Sequence, residues 1–231
     1  IVTLVHDTPK ERVWMEFFIT CPIFVERQLD KYRMTQQYQD IRVEYNFAKM
    51  GRDHITQNEL SGRYKTIPDR FYGLPDDVLE ILQKTAVVVA KEEGATPSTV
   101  EDVVALWNEA HEAQRALYED ALKGMRKAEA AGAISNAEYK RAREVVRGVL
   151  GTSYLTDMRY VMNANAFEHV VNQRIDAHAQ LESQVTAYRM LVEARDNLVA
   201  KTVIETMIEH NKWQPRMDLI AAILEQESLD V

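Results

Sequence analysis

Val13-Trp14-Met15-Glu16-Phe17-Phe18-Ile19-Thr20-Cys21, closed by Pro22, is the stretch that decides the fold class. It is dense in aromatic and β-branched side chains, which suit a pleated, half-buried surface. Proline cannot continue a ladder, so the stretch predicts a strand with a break. From Asp76 onward the character reverses. Asp76 or Asp77 can cap a helix running to Glu93 and stopped by Gly94 and Pro97. Ser98 opens a long helix in which Val100, Val103, Trp107, Ala110, Leu117, Ala121 and Met125 recur at three- and four-residue steps. Ser135-Asn136-Ala137-Glu138 fits a capping box. Helices over about 136–150, 156–173 and 177–211 complete the pattern. The reading is α+β: a single domain over residues 1–231, with a small antiparallel or mixed sheet early in the chain and a helix-dominated remainder.

Between these parts, 23–40 reads as a helix with Phe24, Gln28, Lys31 and Tyr32 on one face. Asn58 to Tyr64 is polar and contains Gly62; Pro68, Gly73 and Pro75 follow, which reads as a loop or turn at a strand edge.

The 231 residues are 46% hydrophobic, too apolar for disorder to be the main state. Lys+Arg number 28 against 36 Asp+Glu, a net charge of -8. That balance excludes a surface that grips nucleic acid as a whole, and leaves room for a local basic pocket holding a small anion. Cys21 is the single cysteine, so no intrachain disulfide forms and a reducing, cytoplasmic setting is expected. The longest apolar run, Ala86 to Ala90, is too short to span a membrane. The chain starts Ile1-Val2-Thr3, without initiator Met or basic leader, and so looks trimmed rather than led by a signal peptide.

Several chemistries fail on their spacing. No G-x-G-x-x-G or P-loop occurs, and no Cys/His zinc pattern. His111-Glu112 lacks the second histidine of a zinc helix and reads as a solvated face. His178 and Glu182 stand four apart and could share a metal, though a plain hydrogen bond is the commoner outcome; no metal site is assigned. Cys21 reads as buried and structural.

What remains is anion-binding chemistry. Ser61-Gly62-Arg63 joins a hydroxyl donor, a glycine that lets backbone amides face a ligand, and a guanidinium able to take phosphate bidentately. Arg147 precedes Gly148, and Arg174 lies in Asn172-Gln173-Arg174-Ile175-Asp176-Ala177-His178-Ala179-Gln180.

These residues carry a resemblance. Cys21-Pro22-Ile23-Phe24-Val25-Glu26-Arg27-Gln28, then Lys31-Tyr32-Arg33, then Asn58-Glu59-Leu60-Ser61-Gly62-Arg63-Tyr64 resemble the flavin-dependent thymidylate synthases, whose hallmark is an R-H-R triplet followed by N-E-x-S-x-R-Y. Asn163-Ala164 and the run from Asn172 to Glu182 resemble the family's second block, and His6-Asp7-Thr8-Pro9 its H-E-T-P. The blocks stand in the family's order.

The resemblance implies FAD as cofactor, with NADPH and methylenetetrahydrofolate as co-substrates. It implies transfer of a one-carbon unit to C5 of dUMP, and a homotetramer; the charge balance and the short apolar runs already argue against a nucleic-acid or membrane partner. As catalytic residues it implies Arg174, against the pyrimidine, and Ser61. Arg147, Arg63, Ser61, Leu60 and the Gly62 backbone would hold the nucleotide and its phosphate, with Gln28, Glu59 and Lys31 completing the pocket. Arg33, Asn163 and His178 would line the flavin site; Lys31, Tyr32, Asn165, His169, Glu16 and Glu59 also fall on flavin positions.

The chain departs from the family at Lys31-Tyr32, where a planar fork and an imidazole become a point charge and a phenol. Arg12 stands where many members have histidine, and Glu16 where threonine is common. An insertion of about 34–53 separates the triplet from Asn58. It is either a surface excursion, since loop closure costs rise slowly with length, or a re-formed pocket wall. Two other functions stay open: hydroxymethylation of dUMP or dCMP, with water replacing hydride at the last step, and an inactive homologue serving as an oligomeric scaffold.

Overall fold

The computed structural model describes residues 10, 12–29, 55–59, 70–197 and 201–226, with the main chain alone at 55–59 and 226. The insertion, Lys31-Tyr32-Arg33 and Leu60-Ser61-Gly62-Arg63 lie outside the described residues. The chain divides into two compact units: the first holds residues up to Glu59 together with Thr156–Gln226, the second Leu60–Leu155.

The first unit is built on three strands, β1 (Trp14–Pro22), β2 (Ile55–Glu59) and β3 (Leu155–Asn163), in the order β1-β3-β2. β2 runs antiparallel to β3, from Ile55 opposite Met162 to Glu59 opposite Met158. Along β1 the contacts with β3 also run in opposing directions: Val13 O accepts from Ala164 N at 2.8 Å, and Thr20 Oγ1 donates to Asp157 Oδ1 at 2.7 Å. Successive strand residues face opposite sides. Met15, Phe17 and Cys21 are therefore buried with Met158, Tyr160 and Met162, while Trp14 and Phe18 stand exposed.

β3 is a correction to the sequence reading, which made 156–173 one helix. Thr156, Met158, Tyr160 and Met162 are buried in strict alternation, and that period of two packs only as a strand. Asn163 ends the strand and caps α4 (Ala164–Arg174), its Oδ1 accepting from Ala166 N at 2.9 Å. The stretch expected as one helix over 177–211 is two, α5 (Leu181–Asn197) and α6 (Lys201–Asn211), and α7 (Gln214–Gln226) follows. α5 is the centre of this unit: it packs on α4, α6, α7 and β1, and Glu182 through Ala187 are all buried. Phe167 of α4 stacks on Phe17 of β1, centroids 5.6 Å apart. Residues 23–29 are helical, as expected for the start of that stretch, and Tyr160 Oη donates to Leu29 O at 2.9 Å. Burying such rings contributes roughly 1.5–3 kcal/mol each.

The second unit is helical: α1 (Asp76–Glu93), α2 (Val100–Ala130), α3 (Asn136–Val146) and a 3-10 turn, Arg147–Val149. α1 ends at Gly94 as its sequence predicts, with φ 68° in the left-handed region that a side chain would oppose. Its expected aspartate cap is not formed. Pro75 holds that position, while Asp76 and Asp77 sit in the first turn, where negative charge suits the helix dipole. α2 starts one turn-residue later than Ser98 suggested, in a reciprocal capping box between Thr99 and Asp102. The box of Ser135 and Glu138 opens α3 as expected. On α2 the buried stripe runs through His111, Tyr118 and Leu122, whereas Leu117, expected inside, is exposed.

Candidate active site

Arg174 closes α4, where a cation complements the C-terminal end of the dipole. Its Nη1 donates to Gln28 Oε1 at 2.8 Å and its Nη2 to Gln28 O at 3.0 Å. Gln28 Nε2 in turn donates to Gln180 Oε1 at 2.8 Å. Residues from two motif blocks are thus joined: Gln28 comes from the first, Arg174 and Gln180 from the second.

The turn beyond Arg174 is set by its own side chains. Asp176 Oδ1 accepts from His178 N at 2.9 Å, an Asx turn, and Asp176 O accepts from Ala179 N at 3.0 Å. Arg216 fastens this turn to α5, donating through Nε to Ile175 O at 3.0 Å and through Nη2 to Gln184 Oε1 at 2.6 Å. Gln184 Nε2 donates to Ala179 O at 2.6 Å. His178 stands exposed on that turn. Gln28 thus holds both terminal nitrogens of Arg174, a fork of donors whose chemistry suits an electron-rich ring or an anionic oxygen.

The described flavin candidates fall on β1, β2, the junction of β3 with α4, α4 itself and the turn beyond it. Asn163 is buried and spends its side-chain oxygen on the α4 cap. Asn165 and His169 stand four apart on α4, half-buried and exposed respectively, so they share a helix face. An amide and an imidazole in that placement fit the polar atoms of a flavin. Asn163 fits indirectly, by fixing where α4 begins. Glu16 lies on the exposed side of β1 and is bound to Arg159 of β3. That hydrogen bond holds the Glu16 carboxyl below its ordinary value. Arg159 was not singled out in the sequence, and its signal is the alternation of β3, where it stands on the outward side. Glu59 ends β2, opposite Met158. Lys31, Tyr32, Arg33, Leu60, Ser61, Gly62 and Arg63 are outside the described residues, as is the insertion.

In the second unit Arg147 opens the 3-10 turn, half-buried, and its carbonyl accepts from Leu150 N at 3.0 Å. His111, expected on a solvated face, is 5% exposed. Phe71 stacks on its ring at 4.3 Å, and aromatic neighbours on adjacent segments exclude water from it. Cys21 is fully buried with its sulfur 3.9 Å from Met158 Sδ, the structural placement its surroundings in sequence suggested. Among the described residues, no three His, Cys, Asp or Glu side chains gather into a metal cluster, and no helix is long and apolar enough to cross a membrane.

A family model described as thymidylate synthase complementing protein matches residues 1–198. A flavin-dependent thymidylate synthase of Thermosipho melanesiensis is 30% identical over 186 residues, 80% of this chain and 64% of the relative. One of Rickettsia bellii is 28% identical over 186 residues, 80% of this chain and 55% of the relative. One of Thermotoga neapolitana is 26% identical over 179 residues, 78% of this chain and 60% of the relative. The chain thus spans between about half and two thirds of the length of the relatives it matches. It belongs to the thymidylate synthase complementing protein family.

Proposed function

From that membership we propose that the protein transfers a one-carbon unit from methylenetetrahydrofolate to C5 of a pyrimidine deoxynucleotide monophosphate, converting dUMP to dTMP. FAD is the proposed cofactor and NADPH its reductant. The observation that carries the reading is the Arg174–Gln28 contact, which ties the arginine proposed for the pyrimidine to the glutamine proposed for the same pocket.

The chemistry asks the protein mainly for position and electrostatics. Forming a bond at C5 requires negative charge on the pyrimidine ring, and a guanidinium held against it stabilises that charge as it develops. Gln28 aims the fork, and Gln180 aims Gln28. Arg147, Arg63, Ser61, Leu60 and the Gly62 backbone are the residues proposed for the nucleotide and its phosphate, and Glu59 and Lys31 are proposed for the same ligand. The flavin, when bound, supplies the hydride that completes the methyl group. Asn165, His169, His178 and Glu16, with Lys31, Tyr32 and Arg33, hold it, and Asn163 fixes the helix on which two of them stand. Cys21 takes no part, because a buried sulfur cannot reach a substrate. A homotetramer in a reducing cytoplasm completes the proposal.

The test begins with the visible spectrum of purified protein loaded with FAD and desalted, followed by turnover with dUMP or dCMP and identification of the product by mass. A retained flavin band and dTMP are expected. A hydroxymethylated nucleotide would replace the reaction proposed for the last step. A protein that takes up neither flavin nor nucleotide would overturn the enzyme reading in favour of an oligomeric scaffold.

A further inference from the structure

In the second unit, α2 directs a row of side chains onto the segment that follows the Arg147–Val149 turn. Gln114 Oε1 accepts from Gly151 N at 3.3 Å. One turn earlier, His111 Nδ1 lies 2.7 Å from Trp107 O. A carbonyl can only accept, so Nδ1 carries the ring hydrogen and Nε2 is left as an acceptor. Ser153 Oγ meets that Nε2 and is the donor of the pair. Tyr154 Oη closes the set, donating to His111 O at 3.0 Å. From the other side, Tyr72 N donates to Ser153 O at 2.8 Å, and Leu155 N to Arg70 O at 3.0 Å.

Both partners of the His111–Ser153 bond are buried, at 5% and 9% exposure. Burial strengthens the contact and raises the cost of breaking it, because an acceptor left without its donor there gains no water in exchange. The turn carrying Arg147 ends at Leu150, whose amide closes on the Arg147 carbonyl. Gly151, Ser153 and Tyr154 follow at once, and each is bound to α2. The main chain after Arg147 is therefore fastened to α2, through the Gln114 and His111 side chains and the His111 carbonyl, as well as to residues 70–72.

We propose that His111 and Ser153 are positioning residues for Arg147: their hydrogen bond locks the segment behind the 3-10 turn, and so sets the place from which the Arg147 guanidinium meets the phosphate of the nucleotide. This rests on the nucleotide-binding reading of Arg147. The pair is not a nucleophile and base, since aromatic rings wall in the imidazole and the hydroxyl has little access to solvent.

The test is dUMP binding by calorimetry on the flavin-loaded protein, comparing wild type, Ser153→Ala, Ser153→Thr, Arg147→Ala and the double variant Arg147→Ala/Ser153→Ala. Ser153→Ala is expected to weaken dUMP about tenfold, the size of a lost buried hydrogen bond. Flavin content should stay unchanged, and Ser153→Thr, which keeps the hydroxyl, should restore affinity. Once Arg147 is alanine, removing the Ser153 hydroxyl should alter affinity by less than about twofold, because coupled positions do not add. A general structural weakening would instead cost the same in both backgrounds, and that result overturns the proposal, as does unaltered affinity in Ser153→Ala. Ser153→Cys keeps a weak donor and should lose less; it gives the same comparison if the alanine variant does not fold. A wild-type protein that binds no dUMP would defeat the nucleotide reading of Arg147, and the positioning role would fall with it. Wild-type binding with additive variants would defeat the positioning role alone.

Discussion

Arg174 donates to Gln28 through both terminal nitrogens, to the side-chain oxygen at 2.8 Å and to the main-chain oxygen at 3.0 Å, across 146 positions of sequence. One contact of the pair depends on the identity of residue 28 and the other does not. Substitution can therefore separate aim from anchorage.

Arg174→Ala is expected to abolish turnover while the melting temperature stays near that of wild type. Gln28→Ala removes the side-chain contact with Arg174, together with the bond to Gln180, and keeps the main-chain contact. A hydrogen bond to a charged group is worth about 1.5–3 kcal/mol, so kcat/KM should fall roughly ten- to a hundredfold. Steady-state kinetics with dUMP check both, and near-normal turnover in Arg174→Ala would sink the proposed role of that side chain.

Cys21 is fully buried against Met158. The native protein should resist alkylation by iodoacetamide until denatured, since a buried thiol is inert. Cys21→Ala should cost about 1 kcal/mol of stability through the small cavity left behind, with turnover retained. Loss of turnover in a folded Cys21→Ala protein would reopen the question of a thiol nucleophile.

Ser135 accepts from Glu138 N at 3.3 Å while Glu138 Oε2 accepts from Ser135 N at 2.7 Å. Removing such a cap costs about 1 kcal/mol, which lowers the melting temperature by roughly 2–4 °C in a protein of this size. Calorimetric melting of Ser135→Ala tests this, and an unchanged melting temperature would mean that α3 does not melt with the rest.

Asp102 and Glu138 are both held below their ordinary values, chiefly by the cap amides they accept from, and Glu16 by its bond to Arg159. A carboxyl depressed in the folded state binds fewer protons there than in the unfolded chain. Its stabilisation is complete above the unfolded value and is lost as the pH falls through the folded one. Melting temperatures should accordingly drop on acidification below the ordinary carboxylate range. Glu138→Gln, which cannot titrate, should be less stable than wild type at neutral pH, with the gap narrowing in acid. A gap that widens in acid would reverse the assigned sign.

The legible parts of the fold are those whose cause is local. Gly94 stops α1 because only a few residues decide whether the chain can turn left-handed, and Ser135 opens α3 because its partner lies three positions away. The Val13–Pro22 strand shows in its own composition. β3 is not legible locally, because Met158, Tyr160 and Met162 are compatible with a helix when taken singly, and Asn163 joins strand to helix without a glycine or proline to mark the change. His111 looked solvated because nothing near it in sequence announces Phe71 or Ser153.

The candidate site divides the same way. Arg174, Gln28 and Arg147 could be named from their motif positions alone, and the family follows from the order of those blocks. Which of them touch could not. Gln28 on Arg174, Arg159 on Glu16 and Ser153 on His111 are each pairings across long sequence separations. Sequence by itself determined the stop of α1 at Gly94, the start of α3 at Ser135, the first strand, the single cysteine and the family, because caps, turns and motifs act within a few residues of their cause. Tertiary structure alone decided the partners of the charged groups and the face on which His111 is buried, because those depend on strand register and on which apolar surfaces are removed from water together.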